Sequence, residues 1–177
     1  QGDGTPVSDI ERRTDRLAAL RERVERVPGY EGELGTHVLA ASPERLIERS
    51  PKTAARSIDS VNMATVYGER TDGCGSVGCL AALAIIDYAE EAAATRRRIA
   101  RDDNLPERAV SMLDIAARIL GLDPATRDAL FCGVGSRWFE DLGAMPKRAI
   151  LDALDRTMAG AVGAGIWKPP AAARHDR

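Results

Sequence analysis

An almost unbroken run of apolar residues, residues 80–89, has to be buried in whatever fold this chain adopts. A segment that is apolar on nearly every side predicts a helix surrounded by other helices. A glycine-rich loop with two cysteines, residues 72–79, comes directly before it and offers Ser76 as an N-cap. We call it the glycine–cysteine segment. We therefore predict a central helix that begins at Ser76 and continues through Glu90 towards Arg101.

The composition also favours helices. Among 177 residues, 44% are hydrophobic but only 4% are aromatic, which suits closely packed helices better than a β-sandwich. The formal net charge of -2 gives no electrostatic reason to expect nucleic acid or an anionic membrane as a partner. No apolar segment reaches the roughly 18 to 20 residues that cross a bilayer. The prediction is an all-α, or mainly α, fold: a single compact multi-helix domain around a buried central helix, with at most a minor short β element.

Local signals divide the chain into three parts. Residues 1–7 are predicted to be disordered or tag-derived, because the chain begins with Gln1 and not with methionine. Residues 8–167 form the helical domain, and residues 168–177 form a flexible tail with two prolines and alternating charges. Proline and cap signals predict further helices at residues 43–49, 51–58, 106–120, 124–131 and 146–158.

The first predicted helix carries a narrow apolar seam. Ser8 and Glu11 form a capping box at its start, and Pro28 follows its end. Charged residues of both signs flank the seam, which is typical of a solvated helix surface. The seam can pack on its own domain or on a partner helix, so we expect a protein partner or self-association through Leu17, Leu20 and Val24.

The glycine–cysteine segment suggests a cysteine-dependent reaction. A thiol at the start of a helix has a lowered pKa, because the helix dipole favours the thiolate. Cys74 is the candidate nucleophile, and His37 is the candidate base because the only other histidine, His175, lies in the predicted tail. Asp72 would orient the imidazole. The alternative interpretation is that the cysteines fill small gaps in a helical core.

Other chemistry for the same segment stays open. Free amides at the predicted helix start would bind an anion through Gly75, Ser76 and Val77. The pattern Gly73-x-Gly75-x-x-Gly78 matches a dinucleotide fingerprint but lacks the strand that should precede it. A disulfide between Cys74 and Cys79 is conceivable. A zinc site would need Cys74, Cys79, Cys132 and His37, whose spacing is not that of a usual zinc motif, so we expect neither metal nor cofactor.

At these residues the sequence resembles a family of small uncharacterised bacterial and phage proteins. The resemblance lies in a C-G-[ST]-x-x-C-[IL]-A pattern, matched by residues 74–81, and in the preceding Asn62 and Met63. It extends over residues 61–155, with Ala82 standing where the family usually has glycine. The resemblance implies a bacterial or phage origin and a domain, and it implies no particular reaction.

The expected function is that of a non-enzymatic binding or regulatory protein. Three cysteines cannot all pair within one chain, and an odd number fits the reducing cytoplasm better than a secreted scaffold. The alternative is a cysteine-dependent hydrolase or transferase in which Cys74 and His37 are catalytic.

Overall fold

The computed structural model describes residues 13–27, 58–61, 67–69, 76–133 and 147–167. These residues are mainly α-helical, as predicted. The described part contains six α-helices: α1 (Thr14–Arg26), α2 (Leu80–Asp87), α3 (Ala89–Asp102), α4 (Met112–Leu120), α5 (Pro124–Cys132) and α6 (Lys147–Met158). Two 3₁₀ turns, Glu107–Ala109 and Gly163–Trp167, complete the helical elements.

Helix α2 is the buried centre that the apolar run predicts. Its six residues from Leu80 to Ile85 are at most 1% exposed, because α1, α3 and α4 pack around it. The predicted long helix is nevertheless interrupted at Tyr88, whose backbone leaves the helical region with φ -124° and ψ 45°. The chain changes direction there, so the apolar α2 and the amphipathic α3 are separate helices that pack on each other.

The predicted start of the central helix is wrong. Ser76 does not cap a helix but opens a strand, and Cys79 is the N-cap residue of α2. Three short strands form one sheet: β1 (Ile58–Val61), β2 (Tyr67–Glu69) and β3 (Ser76–Gly78). Strand β3 lies in the middle, parallel to β1 and antiparallel to β2. This is the minor β element that the prediction allowed, although Ile58 was predicted to end a helix.

The seam of α1 belongs to the core of the chain itself. Leu17, Leu20 and Val24 are 0%, 2% and 0% exposed, and α1 packs on α6. Lys147 Nζ holds the end of α1 by donating to the carbonyls of Glu25 and Val27 at 3.0 and 3.2 Å. The prediction that these apolar side chains form a docking surface is therefore wrong, because intramolecular packing already covers them.

Caps define the helices that follow. The helix predicted from Pro106 begins later, at Met112, and the Ser111 hydroxyl accepts a hydrogen bond from the Leu113 amide at 3.2 Å. Gly121 ends α4 with a left-handed φ of 65°, as its position predicts. Asp123 then caps α5 as predicted, accepting from the Thr126 amide at 2.9 Å and from its hydroxyl at 2.8 Å.

The last 3₁₀ turn closes the core. Ile166 and Trp167 are 0% and 2% exposed, and the turn packs on α5 and α6. The indole nitrogen of Trp167 donates to the carbonyl of Ala129 at 2.7 Å, which satisfies the polar atom of a buried aromatic residue. None of the helices within the described residues is both long and apolar enough to cross a membrane.

Candidate functional site

The described part of the glycine–cysteine segment places one thiol in the core. Cys79 is free and 6% exposed at the N-terminus of α2. Burial raises the pKa of this thiol, and hydrogen bonds from the first amides of the helix lower it by less. The helix start therefore acts in the expected direction, but burial outweighs it and keeps the thiol protonated. Cys79 carries a free thiol in this structure, so it does not form the disulfide with Cys74 that the sequence left open.

The other residues predicted for this site are either outside the described residues or not at the start of a helix. Cys74, His37 and Gly75 fall outside the described residues, so the proposed nucleophile and base are not placed. Ser76 and Val77 belong to the middle strand of the sheet, with a partner strand on each side, and not to a helix N-terminus. The expectation of an anion site rested on that helix start.

Cys132 lies exposed at the end of α5. Its thiol is free, and its pKa is raised by partial burial and then by the nearby Asp128 carboxylate, against the opposite effect of Arg127. Across residues 13–27, 58–61, 67–69, 76–133 and 147–167, no group of three or more histidine, cysteine or acidic side chains is arranged to hold a metal ion.

Arg16 makes several polar contacts between helices, and its role is structural. Its guanidinium donates to Glu91 at 2.5 Å and to the Ile119 carbonyl at 2.9 Å, and lies 4.5 Å from the centre of the Tyr88 ring. The hydrogen bond to Arg16 holds the pKa of Glu91 below its usual range. These contacts join α1 to the α2–α3 junction and to the end of α4. The positive charge of Arg16 is therefore already paired within the chain and is not available to a ligand.

A groove lies between α3, α4 and α5 within the described residues. Its volume is about 230 Å³. We name it the α3–α4–α5 groove and define it by its lining residues, which are Ile99, Asp103, Asp114, Ala117, Arg118, Leu122, Pro124 and Arg127. Its lining contains two acids and two bases beside four apolar residues, so the surface that it exposes is largely charged.

One acid–base pair in the groove is neutralised internally. Arg127 donates to Asp114 through one terminal nitrogen, and its Nε donates to Asp128 at 2.8 Å. These hydrogen bonds, the one to Asp128 first, raise the pKa of the guanidinium. Arg127 therefore reinforces the wall of the groove between α4 and α5 and is not a free cation.

The other two charged residues of the groove, Asp103 and Arg118, are not paired as Arg127 and Asp114 are. Asp103 is the C-cap residue that follows α3, and Arg118 lies in the last turn of α4. Both are exposed, and neither forms an ion pair within the part of the chain that the structure describes. The groove thus presents one carboxylate and one guanidinium from separate helices to whatever enters it.

The sequence did not predict this groove because its residues come from three helices and the segments between them. The available signal was weak: Asp114 and Arg118 are spaced four apart on α4, which predicts an ion pair with each other. In the structure Asp114 pairs with Arg127 from the next helix, and Arg118 is left facing the groove. The left-handed Gly121 makes this possible, since it turns the chain so that α5 packs back on α4.

In comparisons with protein-family models, curated proteins and solved structures, the chain matches none.

Proposed function

We propose that this chain is a non-enzymatic binding or regulatory protein of bacterial or phage origin that works in the cytoplasm. The observation that carries the proposal is the α3–α4–α5 groove, in which Asp103 and Arg118 have no ion pair within the described residues. An exposed acid and base beside apolar lining residues can pair with groups on another molecule at little cost to the fold.

A protein partner is part of this proposal. Leu105, two residues after Asp103, is 44% exposed, so a partner that enters the groove can also cover an apolar side chain beside it. The apolar seam of α1 is internal, so a partner or a second copy would meet α1 only through its outer, charged side. We therefore place the docking surface on the face that carries the groove and Leu105.

Site-specific cross-linking tests the proposal. A photo-reactive amino acid at Leu105 should capture a discrete protein partner in bacterial cells, and the same group at Val162, which is 62% exposed, serves as the control. The purified partner should then bind the chain with a Kd weakened at least tenfold by Arg118→Glu and unchanged by Arg97→Glu. Identical products from both cross-linking positions, or binding unaffected by Arg118→Glu, would reject the proposal.

A further inference from the structure

Few apolar side chains attach helix α1 to the rest of the chain. Leu17, Leu20 and Val24 are its buried residues, and three of thirteen is the smallest buried share among the six described helices. Helix α1 packs mainly on α6 and also on α2 and α4, and residues 28–57 lie between it and β1 in the sequence. Few buried apolar contacts are typical of an element that opens while the rest of a protein stays folded.

The ion pairs between α1 and other described elements all take their cation from α1 or its N-cap residue. Each carboxylate comes from a different helix, namely α2, α3 or α6. The pairs are Arg23 with Asp87, both Arg13 and Arg16 with Glu91, and Arg21 with Asp155. One basic helix is thus held by carboxylates from three other helices.

Water reaches these ion pairs. The side chains of Arg21 and Asp155 are 29% and 47% exposed, and those of Arg23 and Asp87 are 26% and 25% exposed. Ion pairs at partly exposed positions contribute little each and are weakened further by salt. Beyond its three buried side chains, α1 is therefore held largely by contacts that solvent can replace.

We propose that α1 is a releasable strap, which opens as a unit while α2 to α6 stay folded. Opening breaks the ion pairs and uncovers the apolar surface of α2, α4 and α6 on which α1 packs. Asp87, Glu91 and Asp155 then border this surface, so it fits a helix with an apolar seam and basic flanks, as α1 itself has. None of the residues in these ion pairs lines the α3–α4–α5 groove, so the strap is independent of the proposed function.

Hydrogen–deuterium exchange of the full chain, measured by mass spectrometry, tests the strap. If α1 opens by itself, the protection factors of its amides should be at least about tenfold lower than those of α4. Raising NaCl from about 0.05 M to about 1 M should lower the protection of α1 further and leave that of α4 unchanged, because salt screens the exposed ion pairs. Equal protection of α1 and α4 at both salt concentrations would show that α1 is released only by global unfolding, and would overturn the inference.

Substitutions then test the role of the ion pairs. The double variant Arg21→Gln/Arg23→Gln removes two pairs between elements and should lower the protection of α1 at least about threefold, with α4 unchanged. Arg26→Gln is the matched control, because Arg26 pairs with Glu22 inside α1 at 3.4 Å, and it should leave both helices unchanged. Circular dichroism confirms that both variants are folded. An equal loss of protection in α1 and α4, or no loss in α1, would overturn the inference and leave the cross-linking test unaffected.

Discussion

At the scale of single residues, two opposite effects act on the pKa of the Cys79 thiol, and burial is the larger one. The helix N-terminus lowers its pKa through amide hydrogen bonds, and burial raises it by more. The lowering of the pKa can be predicted from the local sequence, because a cysteine that directly precedes a helix can be recognised there. The second effect depends on the packing of residues that are distant in the chain.

Thiol labelling with iodoacetamide should separate the cysteines. Cys79 should react only when the protein unfolds, because it is 6% exposed. Cys132 is exposed but has a raised pKa, so its labelling should be slow at pH 7 and should accelerate as the pH rises towards that pKa and the thiolate forms. Mass spectrometry of the separate peptides measures each rate.

The same experiment tests the alternative cysteine chemistry. We expect Cys74 to react slowly at pH 7, as does an ordinary thiol with a pKa of about 8.5. Fast labelling of Cys74 alone, abolished by His37→Ala without loss of folding, would instead favour a cysteine-dependent hydrolase or transferase.

The contact between Arg16 and Glu91 should make stability depend on acidity. The pKa of Glu91 is lowered in the folded state, so its stabilising contribution is complete above the unfolded pKa of about 4.3 and is lost as the pH falls through the folded pKa. Glu91→Gln should therefore reduce stability at pH 7 and flatten the decline in acid. Urea unfolding between pH 7 and pH 3 measures this.

Glu90→Gln is the matched control, since it removes an exposed carboxylate from the adjacent position of the same helix. A decline in acid that is equally steep in the wild type and in Glu91→Gln would show that the ion pair does not contribute.

At the scale of elements, α1 and α2 are both core helices, although their sequences differ. Helix α2 is apolar all round and has no exposed face over most of its length. Helix α1 has one apolar stripe, and its outer side carries ion pairs such as the one between Arg21 Nε and Asp155 at 2.6 Å. A stripe of this kind predicts burial but does not identify what buries it.

Truncation of either helix's core residues should be costly. Leu83→Ala and Leu20→Ala remove side chains that are 0% and 2% exposed, so each should lower the free energy of unfolding by about 2 to 5 kcal/mol. Val162→Ala, at a position that is 62% exposed, should stay within about 0.5 kcal/mol. Chemical denaturation measures all three.

Sedimentation of the Leu20→Ala variant shows whether the apolar seam of α1 belongs to the core or to an interface between chains. If the seam is part of the core, Leu20→Ala destabilises the chain without changing its oligomeric state. If Leu20→Ala instead dissociates an oligomer and leaves the folded monomer equally stable, the seam is an interface and the assignment to the core is wrong.

At the scale of the whole molecule, the chain closes on itself through its last described turn. Ile166 and Trp167 fill space between α5 and α6, and the Arg156 guanidinium donates to the Ile166 carbonyl at 3.3 Å. Helix α6 also packs on α1, so the last described elements contact the first one. The core is thus assembled from both ends of the described part of the chain.

A shortened chain tests this closure. Ending the chain at Val162 removes the buried Ile166 and Trp167 and should lower the free energy of unfolding by at least about 3 to 5 kcal/mol, or abolish cooperative unfolding. A chain that ends at Lys168 keeps both residues and should unfold like the full chain. A loss below about 1 kcal/mol on ending at Val162 would show that the turn is not part of the core.

The sequence by itself determined the features that depend on local chemistry. The apolar run of α2 predicted the buried centre, Asp123 predicted the cap of α5, and Gly121 predicted the end of α4, since each acts within a few residues of its own position. The mainly α fold class follows from the same local signals.

The tertiary structure decided what depends on contacts between distant residues. Residues 76–78 form a strand because β1 and β2 offer partners, which overrides the local cap signal at Ser76. The α1 seam is internal because α6, far along the chain, covers it. Arg118 has no ion pair with Asp114 because Arg127 from the next helix pairs with that carboxylate, and a spacing rule within one helix cannot anticipate a competing partner from another.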